Sequence, residues 1–355
     1  MSQKAVLTSV AAVPGTPGSH RVRLPVTTDL NDAEISIWVH ALVGAKPGPT
    51  LTLLSGTHGN EWAHIAWFAR FAADFDPKDV RGRILMVPVA NSVSLGQLRR
   101  AVPDDSDMPD VNRSFPGKGR RFTWIAEQIA TVLADEVLAA SDFLLEFHLG
   151  IWGSALGSSI VGTGYSRPEV NTGCRDLALA FGIPFVFQTN AVAAFPGPRS
   201  ALGYAGEVRE IPASGSMLGG SGFDRSEEAT WADANLRGIR NVMIHLGMLE
   251  GYMELPERYL FYATVHRVNP RTGGLVVPER APDMFGREVA KGELLGKVLS
   301  PYRLETIEEL RSPFDGYIAY WCRSYPVRPG DWAFGVIPKD DPGTRWTERP
   351  NWPNA

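Results

Sequence analysis

The sequence predicts an α/β fold: a mainly parallel, mixed sheet flanked by helices, followed by a small C-terminal all-β domain. Three observations predict it. Short apolar runs of strand length occur at residues 50–54, 84–89 and 143–147, as expected of strands covered on both faces. Between them lie segments whose apolar residues recur at helical spacing, and that alternation marks a parallel sheet. After Pro256 the helical spacing stops, and short apolar pieces alternate with Gly and Pro, the texture of a small β unit. The expected division is 1–255 for the α/β domain, 256–340 for the β-barrel-like domain and 341–355 for an extended arm without chemistry.

Taken in order, residues 1–30 read as irregular. Residues 34–41 alternate apolar and polar side chains, as a half-exposed strand does. Pro47-Gly48-Pro49 reads as a turn. The buried run 50–54 follows, and then a helix over 62–74 with Ile65, Phe68, Ala69 and Ala72 inward. A second buried strand, 84–89, leads directly to Asn91. The polar stretch 96–121 carries Arg99, Arg100, Asp110, Asn112 and Arg113; loops of that length tend to be functional or disordered. A long amphipathic helix is expected over 123–140, with Ile125, Ile129, Val132, Leu133 and Val137 inward. The strand at 143–148 ends at His148, and glycines follow at 150, 153 and 157. A helix over 170–181 and a short strand at 184–187 come next. Residues 203–222 read as loop around a strand near Ile211. A long helix closes the α/β part at 227–249.

The bulk numbers exclude several functions. The net charge of −4 over 355 residues gives no attraction for nucleic acid or an anionic membrane. No apolar run approaches the roughly 18–20 residues that span a bilayer, and the N-terminus lacks the apolar core of a signal peptide. Cys174 and Cys322 are far apart, which argues against a disulfide framework and fits a reducing cytoplasm. Gly117-Lys118-Gly119 is not a phosphate-binding loop, since GxxxxGK[ST] is absent. The partner expected is a small molecule; a homo-oligomer is compatible with the sequence.

The chemistry centres on His58 and Glu61, just past the 50–54 run. If a helix starts near Gly59, residues three apart share a face, and an imidazole and a carboxylate can bind one borderline metal such as zinc. The bland alternative is an acidic residue complementing a helix N-terminus. A catalytic zinc takes three protein ligands. His148 supplies a third at another strand end, where α/β sheets hold their ligands. His64 and His245 read as structural. In the polar loop, Arg113 suits bidentate carboxylate capture. Arg99 or Arg100 suits a developing oxyanion.

Together these residues resemble the succinylglutamate desuccinylase/aspartoacylase group of zinc carboxypeptidase-like hydrolases. The resemblance lies in Gly56-Thr57-His58-Gly59-Asn60-Glu61, Asp110-Val111-Asn112-Arg113-Ser114-Phe115-Pro116-Gly117 and Glu146-Phe147-His148. It extends into Lys291-Gly292-Glu293-Leu294-Leu295-Gly296 and Ser312-Pro313-Phe314-Asp315-Gly316, and spans about residues 30–338. It implies one zinc per chain on His58, Glu61 and His148. Asn112 and Arg113 would hold a substrate carboxylate, with Arg99 beside them. Arg100, nine positions after Asn91, would polarise the scissile carbonyl. The implied activity is removal of an acyl group from an N-acyl amino acid or related small amide.

Two departures stand out. The family's general base is a Glu where this chain has Met217, in Ile211-Pro212-Ala213-Ser214-Gly215-Ser216-Met217-Leu218-Gly219-Gly220, and a thioether cannot take a proton. Glu146 stands where the family has Asp; on a strand it shares a side with His148. Glu146, Glu207 and Glu210 are therefore the candidates for the base. Other readings are a metal-binding sensor or scaffold without hydrolysis, a lyase-type enzyme on the same fold, or an exchange at 217 that traps substrate. The bland role for Glu146 is to orient His148.

Overall fold

The computed structural model describes residues 6–103, 109–121, 123–150, 154–220, 225–280 and 285–355. Residues 104–108 of the polar loop, Gly153 and Gly222 lie outside the described residues.

The architecture is a large mixed sheet flanked by helices, plus a separate antiparallel sheet of four strands near the C-terminus. At the centre of the large sheet, Arg81–Val87, Lys46–Leu54, Phe143–His148 and Ala213–Gly219 run parallel and adjacent, in that order. The antiparallel pair Gly18–Thr28 and Glu34–Val43 flanks them on one side. On the other side Ser154–Thr163 runs antiparallel to Ala213–Gly219. Its far edge then divides. Its first residues pair with Gly316–Cys322, and its last pair in parallel with Phe185–Asn190. Phe185–Asn190 in turn carries Arg258–Tyr262, and the tail lays Arg345–Glu348 against that strand. Every described helix and strand after His245 is a strand.

Side-chain alternation splits the central strands between two cores. Leu51, Leu53, Leu145 and Phe147 face a cluster that includes Trp67 and Phe68 of the helix His64–Ala73 and Ile239 and Val242 of the helix Arg225–His245. Leu54 and Leu144 face the opposite cluster, with Ala126, Ile129 and Val132 of the helix Ile125–Val132. Glu146 and His148 alternate with Phe147 and so lie on the Leu144 side of the strand. No described helix is long and apolar enough to cross a membrane.

Several expectations are corrected. Within the stretch 1–30, expected to be irregular, Gly18–Thr28 is a strand that alternates Val22, Leu24 and Val26 inward against solvent-facing neighbours. Pro47-Gly48-Pro49 is not a turn but the start of the strand Lys46–Leu54, with a register slip between Lys46 and Thr50. Gly48 is needed there, because a Cβ would sit 2.7 Å from the Gly82 nitrogen. The helix expected over 123–140 is α-helical only to Val132, and continues as a wide π turn at Leu133–Val137 and a 3-10 turn at Leu138–Ala140. Within 203–222, where mostly loop was expected, the structure has the helix Ala201–Glu207 and the strand Ala213–Gly219.

Candidate active site

The site gathers at the carboxyl ends of the central strands. Past Leu54 the chain stays tied to its neighbour: Ser55 N–H donates to the Val87 carbonyl at 2.9 Å, and Asn91 N–H to the Gly56 carbonyl at 2.9 Å. Gly56 has φ +69, and a Cβ there would lie 2.8 Å from Val89 Cα, so only glycine fits. His58 and Glu61 are not on a helix, as the sequence suggested; the helix begins at His64. They are brought together by a tight turn in which Glu61 N–H donates to the His58 carbonyl at 3.2 Å.

That turn packs on the short helix Ser92–Gly96, which Asn91 caps by accepting from Ser94 N–H at 3.1 Å. Gly59 is the contact: a Cβ on it would lie 2.0 Å from the Ser94 carbonyl carbon. Gly59→Ala should therefore push two backbones apart. The expected loss is about 1–3 kcal/mol of stability, the usual cost of overpacking, read from the denaturant midpoint. An unchanged midpoint would mean the turn is free to move.

Glu61 is the hub. Its Oε1 lies 2.7 Å from His58 Nδ1 and its Oε2 2.9 Å from His148 Nδ1. The Leu149 N–H donates to Oε2 at 3.2 Å. The two imidazole rings are 5.0 Å apart. One ligand atom from each of His58, Glu61 and His148 falls within 4.8 Å of the other two. Burial alone would raise the Glu61 carboxyl pKa, but the two imidazoles hold it well below its ordinary value. Burial would lower His148, but Glu146 and Glu61 on either side raise it to about 10.

Around this hub the polar loop folds back. Asp110 Oδ1 lies 3.2 Å from His58 Nε2 and accepts from Asn112 N–H at 2.8 Å. Arg100 reaches Glu61 Oε1 at 3.4 Å and Asp110 Oδ2 at 3.2 Å. Burial works against the Asp110 charge, yet His58, Arg100 and Arg113 keep its pKa lowered. Asn112 has both ends of its amide engaged. Nδ2 donates to Glu146 Oε1 at 2.8 Å and approaches His148 Nε2 at 3.2 Å; Oδ1 accepts from Ala201 N–H at 2.8 Å. Arg113 donates to the Asn112 carbonyl at 2.5 Å, with its guanidinium 5.3 Å above the Phe195 ring.

Glu146 is fully buried. Its Oε1 is 3.0 Å from His148 Nε2, and its Oε2 has no hydrogen-bond partner among the described residues. Met217 is the register partner of His148 on the neighbouring parallel strand, so the two side chains share a face.

A cavity of about 290 Å³ lies against this constellation. Of the residues singled out in the sequence, His58, Glu61, Arg100, Asn112, Arg113, Glu146, His148 and Met217 line it, and Arg99 does not. Glu207 instead accepts from Ser166, and Glu210 pairs with Arg167 at 3.4 Å. His64 is not in the lining. It is fully buried with Nδ1 2.8 Å from Ser55 Oγ, and burial pushes its pKa down to about 3. Phe195, Arg267 and Trp332 also line the cavity. No local motif marks them; they arrive from segments remote in sequence.

The comparisons bear on what such a site belongs to. Residues 47–208 match the model of the succinylglutamate desuccinylase/aspartoacylase catalytic domain. The N-alpha-acetyl-L-2,4-diaminobutyric acid deacetylase of Halomonas elongata is 27% identical over 323 residues, covering 87% of this chain and 88% of that protein. Among solved structures, a succinylglutamate desuccinylase from a Silicibacter species superposes with a TM-score of 0.75 at 22% identity, over 95% of this chain and 100% of the other. The product-bound ectoine utilization protein EutE (DoeB) from Ruegeria pomeroyi superposes with a TM-score of 0.74 at 23% identity, over 92% of this chain and 98% of the other. These likenesses carry the fold beyond the matched segment, and residues 47–208 are the part of the chain that resembles the succinylglutamate desuccinylase/aspartoacylase catalytic domain.

Proposed function

We propose that this chain is a zinc-dependent deacylase that hydrolyses the amide of a small N-acyl amino acid. The observation that carries it is the convergence of His58, Glu61 and His148 within 4.8 Å at the edge of a cavity. The donor set fits the metal: two imidazole nitrogens and one carboxylate oxygen suit zinc, and three protein ligands are the usual number at a catalytic centre. Three carboxylates, Glu61, Asp110 and Glu146, crowd this small volume, so a cation there also relieves their repulsion. Bound there, zinc supplies a Lewis acid and makes water more acidic.

The remaining work falls to this chain's side chains. Arg113 anchors the substrate carboxylate, and the Phe195 ring beneath it fixes the plane of the guanidinium. Arg100 sits beside the hub and stabilises the oxyanion that develops on the scissile carbonyl. Asn112, with its amide held by Ala201 N–H, positions Glu146 and His148 rather than gripping the substrate. Glu146 takes the proton of the attacking water at Oε2 and returns it to the leaving amine. Met217 faces the same space and cannot do so.

The test is turnover of N-acetyl and N-succinyl amino acids, including N-α-acetyl-L-2,4-diaminobutyrate, by zinc-loaded protein in ¹⁸O-labelled water. The expected result is a free amino acid and one labelled oxygen in the released carboxylate. Cleavage without label would establish elimination instead. No cleavage of any substrate, with metal and ligand still bound, would favour the second reading that Met217 supports: a metal-binding homologue that senses or holds a small molecule.

A further inference from the structure

The cavity holds a third arginine, beside Arg100 and Arg113, that the proposed reaction leaves without work. Arg267 lies on the strand His266–Val268, which pairs antiparallel with Phe334–Pro338. Its guanidinium stacks 4.1 Å from the Trp332 ring centroid, and Trp332 in turn rests 5.6 Å from Tyr320. Both Arg267 and Trp332 line the cavity that touches His58 and His148. Other arginines in the C-terminal part of the chain are matched to acids: Arg271 lies 3.1 Å from Glu308, and Arg287 2.8 Å from Glu293. Among the described residues Arg267 has no such carboxylate. Its aromatic neighbour Tyr320 has a hydroxyl that is buried and without a hydrogen-bond partner among the described residues.

This repeats the arrangement at Arg113, whose guanidinium lies over Phe195. A guanidinium seated on an aromatic face keeps its N–H edge free, in the plane suited to a carboxylate. The cavity wall also includes Leu156, Ile160, Leu202 and Met217. A ligand complementary to it has an apolar body, one anion for Arg113 and a second anion for Arg267. At about 290 Å³ the cavity sits near the small end of ligand sites, which suits a metabolite rather than a peptide.

We infer that Arg267, seated on Trp332, is a specificity-determining residue that takes a second anionic group of the substrate, on its acyl part or its side chain. The inference rests on the deacylase reading for the identity of the first anion and the amide. A substrate with an ammonium at the same position would be turned away by like charge.

The experiment compares substrates that differ only in the second carboxylate, using the full, zinc-loaded chain. N-acetyl-L-glutamate against N-acetyl-L-glutamine probes the side chain, and N-succinyl-L-alanine against N-butyryl-L-alanine probes the acyl part. In at least one pair the charged member should be preferred by about tenfold or more in kcat/KM, the scale of a charge-assisted hydrogen bond. Arg267→Met should erase that preference, lowering the charged member far more than the neutral one, and Arg267→Lys should keep part of it. Equal loss on both members, a preference that survives in Arg267→Met, or no preference in either pair would overturn the inference. Equilibrium binding of glutamate against glutamine, and of succinate against butyrate, separates its failure from that of the deacylase reading. An Arg267-dependent binding preference without turnover would sustain the role of Arg267 and sink the reaction. Turnover of neutral substrates with no dependence on Arg267 would do the reverse, and neither binding nor turnover would sink both.

Discussion

His148→Ala should leave the chain without bound zinc while the fold stands. His148, His58 and Glu61 each contribute one donor atom within a 4.8 Å circle, so deleting one leaves two donors for an ion that prefers four ligands. Loss of a group that merely orients a ligand costs about 10–100-fold in metal affinity, and loss of a ligand itself should cost more. The fold loses the imidazole's contacts with Glu61 and Glu146, but it keeps its apolar anchors. Leu144, Leu145 and Phe147 anchor the strand in the two cores, and His148 lies at its open end. The check is zinc per chain by elemental analysis after dialysis against buffered metal, with thermal unfolding alongside. One zinc per chain retained by a folded variant would remove His148 from the ligand set.

The meeting of His58, Glu61 and His148 was readable because these residues lie at the ends of apolar runs that are themselves readable. Residues 51–54 and 84–87 are buried on both faces, so their sequences are continuously apolar, and whatever follows them emerges at one edge of the sheet. The sequence misplaced how His58 and Glu61 meet: a turn packed on Ser92–Gly96 does what a helix face was expected to do. The strand Ser154–Thr163 escaped notice because it is built of Ser, Gly and Ala with few large apolar side chains. Its small residues answer to distant partners; a Cβ on Gly157 would strike the Phe285 ring at 2.2 Å, and one on Gly162 the Tyr165 hydroxyl at 2.1 Å. The helix Ala201–Glu207 carries two glycines and has weak intrinsic helicity. It is held by the Ser200 side chain accepting from Gly203 N–H at 2.9 Å and by tertiary contact, Gly203 lying where a Cβ would meet the Gly197 carbonyl at 2.2 Å. Arg267 and Trp332 were invisible for the same reason: His266–Val268 pairs with Phe334–Pro338, that strand with Gly316–Cys322, and that one with Ser154–Thr163 beside the site.

Glu146→Gln should stop turnover and leave zinc in place. The substitution keeps the shape of the side chain and an oxygen that can accept from Asn112 Nδ2, now 2.8 Å from Oε1. It removes the basicity of Oε2, the oxygen with no partner among the described residues. A lost general base lowers kcat by about 10²–10⁴, well outside the effect of a disturbed hydrogen bond to a bound ligand. The competing role for Glu146 is to orient His148 through the 3.0 Å contact to Nε2. In that role Glu146→Gln would weaken zinc binding and spare much of kcat in zinc-saturated protein. Position 217 supplies the decisive comparison, because its side chain leaves the neighbouring strand in register with His148 and lines the same cavity. If Glu146 is the base, Met217→Glu in the native background adds a second carboxylate beside a working one and changes kcat little. In the Glu146→Gln background the same exchange should restore turnover only to the extent that a carboxylate from Ala213–Gly219 reaches the attacking water. A Met217→Glu protein that gains a hundredfold or more with Glu146 intact would place the base on that strand. Glu146 would then be left to hold His148, and the native chain would be a metal-binding homologue with weak hydrolysis.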